Sequence, residues 1–140
     1  MSHAIETITQ FDQELEEDFK VDQISLMAKL EEVSQINRKW LMRYFQARQT
    51  LLNVTKRKDE TYVNVMADKA TNDLQYKSTD SASGKKKIIE NSSEMRKIAR
   101  LLADQEQIVD YLKGVVAICS FTFPKQTGNM VQLIDLESRS

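Results

Sequence analysis

Between Asp22 and about Leu74 the sequence holds no Pro and no Gly. Its apolar residues recur in alternating steps of four and three: Leu26, Leu30, Val33, then Trp40, Tyr44, Ala47, Leu51 and Val54. That spacing keeps one side of an α-helix apolar over many turns and predicts a long amphipathic helix with a heptad-like seam. Roughly fifty residues at ~1.5 Å each give a rod on the order of 75 Å, too long for the interior of a 140-residue globule. The seam therefore requires a hairpin partner, partner chains, or both. Asp22 is the expected N-cap. Asn37 interrupts the seam between Val33 and Trp40, where a polar residue fixes register and oligomer state at some cost in stability. Beyond Val54 the pattern thins. Lys58 and Thr61 take the next seam positions before Val65, so the helix is expected to bend or change partners there.

Lys77 to Ser83 (KSTDSAS), followed by Gly84, reads as a polar loop. Asn91 with Glu94 three residues on resembles a capping box and starts a second helix, from about Ser92 to Phe121. Its seam runs Met95, Ile98, Leu102, Gln105, Val109, Leu112, Val116, Cys119, with Leu101, Ile108 and Val115 as a parallel row. Gly114 costs ~1 kcal/mol against Ala and marks a place for close helix approach. Pro124 ends this helix, Gly128 opens a turn, and 129–136 (NMVQLIDL) predicts a short third helix. The expected class is all-α: a long helical hairpin with coiled-coil-like seams and a short C-terminal helix. Two long helices alone make a thin core, so assembly as a homo-oligomer would supply the missing burial.

The first 21 residues differ in character. Glu6, Asp12, Glu14, Glu16, Glu17 and Asp18 stand against Lys20, with Ile5, Ile8 and Phe11 as the sizeable apolar groups after Met1. Residues 1–21 read as an acidic flexible segment, a mobile tail or a short helix formed on contact. It acts as a solubilising tail, or as a docking segment for a basic partner or an internal screen that competes with nucleic acid. Residues 22–140 form the helical domain.

Composition narrows the function classes. With 3 Gly and 1 Pro there is little room for a many-turned sheet. The single cysteine, Cys119, excludes an intrachain disulfide and a multi-thiolate metal site, and its apolar helix face makes it a small core residue. His3, the only histidine, reads as a terminal polar residue. There is no Gly-rich phosphate loop, no nucleophile paired with His, no HExxH and no paired-carboxylate motif, so no enzyme activity and no cofactor are expected. No apolar run resembles a signal peptide or reaches the ~18 residues of a membrane span. The chain is expected in the cytoplasm, that of the host cell if it is phage-encoded.

Net charge is −1, yet charge is segregated. Arg38, Lys39, Arg43, Arg48, Lys56, Arg57 and Lys58 occur with no acidic residue between the first and the last, and Trp40, Tyr44 and Phe45 lie among them. On a helical wheel the seam takes one side, Arg38, Lys39, Lys56 and Arg57 fall opposite or beside it, Arg43 and Arg48 flank it, and Lys58 falls on it. Lys85, Lys86 and Lys87, with Arg96, Lys97 and Arg100 beyond, supply a second patch. Such a ridge binds phosphates by counterion release without reading bases. The same face also serves as a solvated face or pairs with an acidic neighbour, and Trp40 and Tyr44, at seam spacing, fit a core as well as a stacking platform.

One further pattern emerges from the order of these features: an acidic amphipathic start, INRKWLMRYF with Lys39–Trp40–Leu41 at its centre, a long basic helix, a polar loop, and QEQIVDYLKGVVAICSFTF with a short tail. From about Ile88 to Leu136 an acidic-capped helix carries a Q-x-x-V-x-[YF]-L pattern, Gln105 to Leu112. This resembles the UvsY-type recombination mediator proteins of tailed bacteriophages over most of the chain. The resemblance implies a helical protomer closing into a ring, binding of single-stranded DNA without sequence preference, and two protein partners: a RecA-like phage recombinase and the phage single-stranded-DNA-binding protein. The implied role is to load the recombinase onto strands coated by that protein during recombination-dependent replication and repair. One departure stands out. The family's Lys-x-Arg-Leu signature falls near Val63, Asn64 and Val65, which are not basic, and Lys56, Arg57 and Lys58 lie about two turns earlier. The expected phosphate contacts are Lys56, Arg57, Lys58, Lys85, Lys86 and Lys87, assisted by Arg43 and Arg48. The competing expectation is a coiled-coil scaffold or assembly chaperone that binds only protein.

Overall fold

The computed structural model describes residues 2–18 and 26–122, with side chains described for 2–18 and 32–120. Among them the regular elements are all helical: α1 (His3–Asp18), α2 (Leu26–Asn72), α3 (Leu74–Ser78), α4 (Ala82–Glu90) and α5 (Ser93–Ala117), which runs into a π-helical turn at Ile118–Thr122. The expected N-cap at Asp22 and the helix at 129–136 lie outside the described residues. No described helix is long and apolar enough to cross a membrane. The described residues fall into two compact units: those up to Ala47 together with those from Gln107 onward, and Arg48–Glu106.

In the first unit α1, the early part of α2 and the late part of α5 close on one core. Ile36, Trp40 and Ala47 meet Ile108, Leu112, Val115 and Cys119, with Ala4 from α1 and a rim of Phe11, Leu15, Val33, Tyr44, Val109 and Tyr111. The steps of four and three put Ile108, Leu112 and Val115 on one side of α5, and Cys119 joins them from the π-helical turn. On α2 the core residue is Ile36, where strict counting in sevens placed Asn37. An α-helix at 3.6 residues per turn drifts against an exact heptad, so the neighbouring apolar residue takes the inward position. Asn37 is left half-buried at the flank, its Oδ1 buried and accepting no hydrogen bond among the described residues.

The second unit is built on Val65, Tyr76, Ile89, Met95 and Ile98, with Val54, Tyr62 and Ile88 packed against them. Here the chain reverses through three caps. The Asp73 carboxylate accepts from the Tyr76 N–H at 3.0 Å and starts α3. The Ser81 hydroxyl accepts from the Gly84 N–H at 3.1 Å and starts α4. The Ser92 hydroxyl accepts from the Met95 N–H at 3.3 Å and starts α5. The stretch expected as a loop is therefore mostly helix. A Cβ at Gly84 would meet Ser81 Oγ and Thr79 Cγ2 at 2.8 Å, so glycine leaves room for the tight cap. The α5 cap is Ser92, while Asn91 closes α4. At Gly114, expected at a close helix approach, a Cβ meets nothing within 4 Å among the described residues.

Candidate nucleic-acid interface

In the first unit the acidic segment lies as α1 along the basic stretch of α2. Lys39 Nζ is 2.6 Å from Asp18 Oδ2 and 3.3 Å from Glu14 Oε1. Arg43 forks onto Glu14, Nη1 to Oε2 in a close ion pair and Nη2 to Oε1 at 3.1 Å. The Trp40 indole N–H donates to Asp18 Oδ2 at 2.8 Å, which satisfies the one polar group of a ring with no exposed surface. Phe11 meets Trp40 edge-on at 5.8 Å, and the Arg43 guanidinium lies 4.8 Å from the Trp40 centroid and 5.4 Å from that of Phe11. The hydrogen bond from Arg43 holds the Glu14 carboxyl below its ordinary range. On the other flank Phe11 stacks on Tyr111 at 6.5 Å, and the Tyr111 hydroxyl donates to Asp12 at 3.2 Å. Burial, then Asp12, pushes that phenol up to about 12.

Of the expected phosphate contacts, Arg43 alone belongs to this unit, and Glu14 already engages it. The remaining residues belong to the second unit, where twelve basic residues stand against nine acidic ones between Arg48 and Glu106. Arg48, Lys56 and Arg57 are exposed and Lys58 is half-buried. Consecutive helical residues point about 100° apart, so these three successive cations fan around α2 and do not share one face. Lys58 and Tyr62 of α2 line a cavity of about 260 Å³ with Glu90, Met95 and Ala99. This brings the turn bearing Lys56–Lys58 alongside the end of α4, where Lys87 lies exposed. Lys85 turns back, its Nζ 5.2 Å from the Tyr76 ring centroid. Lys86 sits 3.9 Å from Glu90 with both side chains mostly exposed, a pairing of little energetic weight. Arg96 and Arg100 are exposed one turn apart on α5, with Lys97 exposed beside them.

Sequence reasoning put Lys39 on the basic ridge and weighed Trp40 as core or stacking platform, but named neither among the expected phosphate contacts and paired neither with the acidic segment. The signal was a balance of charge: the acid-free basic stretch has its counter-charges 21 to 29 residues upstream. No local spacing encodes that pairing.

The arrangement can be set against known structures. This chain has the fold of the bacteriophage T4 recombination mediator protein UvsY. The crystal structure of that protein superposes with a TM-score of 0.77 at 14% identity, covering 93% of this chain and 98% of the other. A scan against protein-family models and a search of curated proteins give no match. At that identity the likeness is one of fold.

Proposed function

We propose that this chain is a recombination mediator that binds single-stranded DNA through its phosphates and loads a RecA-like recombinase onto strands coated by a single-stranded-DNA-binding protein. The observation that carries the reading is the shared fold with UvsY over nearly the whole of both chains. The exposed cations of the second unit support it, because phosphate contact needs solvent-facing Lys and Arg rather than a shaped pocket. In this reading Lys56, Arg57, Lys58, Lys85, Lys86 and Lys87 contact phosphate, with Arg48 and Arg43 assisting. A Lys56→Ala, Arg57→Ala, Lys58→Ala variant should bind oligo-dT at least tenfold more weakly at low salt with helix content unchanged. Wild-type affinity in that variant would move the contact elsewhere. No oligo-dT binding by the wild-type chain at low salt would end the reading.

Self-association belongs to the same proposal. A second heptad row runs along α2: Met42, Phe45, Gln49, Leu52, Lys56, Asp59, Val63, Met66. Its apolar members are solvent-facing, Met42, Phe45, Leu52 and Val63 each being at least 50% exposed. A repeat in steps of three and four is self-complementary, so the partner it fits is the same row on another copy. Assembled in a ring, the copies would join their basic surfaces into one track. The same row also favours a protein-only scaffold, which the oligo-dT measurement separates from a mediator.

A further inference from the structure

The contact between α1 and α2 resembles an occupied ligand site. Two cations lie over an indole, Arg43 at 4.8 Å and Lys39 at 5.2 Å from its centroid. Single-strand sites pair these same parts, cations for the phosphates and aromatic faces for the bases. Here Glu14 and Asp18, one helical turn apart on α1, take the cations, and Phe11 packs at right angles to Trp40. The hold of α1 combines these polar contacts with a thin apolar stripe of Ala4, Phe11 and Leu15. Its only fully buried side chain is Ala4, Phe11 and Leu15 are half-buried, and Ile5 is 51% exposed. Ion pairs whose Glu14 carboxylate is itself 38% exposed weaken as salt or a competing polyanion takes their place.

We infer that Lys39, Trp40 and Arg43 form a latent binding site for single-stranded DNA, that α1 occupies it with carboxylates in place of phosphates, and that a single strand displaces α1 to enter. The inference rests on the single-strand reading above and adds a second site, in the other unit, with its own cover.

Trp40 is the only tryptophan, so its fluorescence reports this site alone. The full chain should be titrated with oligo-dT at low salt while affinity and Trp40 emission are followed together. Saturating oligo-dT should quench or shift the emission and make Trp40 accessible to acrylamide. A Glu14→Gln, Asp18→Asn variant, which frees both cations, should bind oligo-dT at least threefold tighter. A Glu6→Gln, Glu16→Gln variant loses the same charge from α1 but leaves the clamp, and should stay within twofold of wild type. Equal tightening in both variants would overturn the inference, since charge alone would then explain it. So would wild-type chain that binds oligo-dT with Trp40 silent, an outcome that needs no variant to fold and leaves the single-strand reading standing. Absence of binding in every chain would remove both.

Discussion

Burial sets the chemistry of single side chains in the first unit. Cys119 is 1% exposed, and burial pushes its thiol up to about 11. Only the thiolate is nucleophilic, so at pH 8 iodoacetamide should modify the folded chain roughly a hundredfold more slowly than the denatured chain. Equal rates would place Cys119 at the surface. Leu112 is 1% exposed in the same core, and Leu112→Ala should cost roughly 2–5 kcal/mol by chemical denaturation. Glu14 behaves in the opposite sense to the thiol. Its carboxyl is lowered from 4.5 by Arg43, so it favours the folded state above about pH 4.5, and this is lost as pH falls through its lowered value. Acidification from pH 6 to 3 should loosen α1 and red-shift Trp40 emission before helix content falls. A coincident loss of both would show that α1 does not respond separately.

At the scale of elements, the two long helices were legible because their apolar steps span many turns. The join between them was not. KSTDSASG carries loop-forming residues throughout, yet Ser81 caps a helix whose Ile89 is 1% exposed in the second core, so packing outweighs propensity. The α5 start was misplaced by one residue because Asn91, Ser92 and Ser93 are all competent caps, and the end of α4 decides among them. Ser92→Ala should cost about 1 kcal/mol by denaturant titration, and Asn91→Ala should cost less. Gly114 makes no contact that explains it among the described residues. Gly114→Ala should therefore stabilise α5 by about 0.5–1 kcal/mol; destabilisation would mean that a further segment or a partner chain packs there.

For the whole molecule, the proposed function turns on how charge is distributed along the chain. The segregated charge was visible in the sequence as an acidic start and an acid-free basic stretch. Which cations α1 engages was not, because Glu14 and Asp18 reach Lys39 and Arg43 through folding alone. The exposed row on α2 is not among the sequence-based expectations, since the Leu26–Val54 seam already accounts for the periodicity of that helix. Phe45→Glu with Leu52→Glu should lower the sedimenting mass without loss of helix; an unchanged mass would assign the row another partner. The central claim, phosphate binding without base readout, is tested most directly by the salt dependence of oligo-dT affinity. With about six phosphates engaged at ~0.7 each, log affinity should fall against log salt with a slope near −4, and near −2 in the Lys56, Arg57, Lys58 triple-alanine chain. A flat dependence, or a slope identical in the two chains, would contradict it.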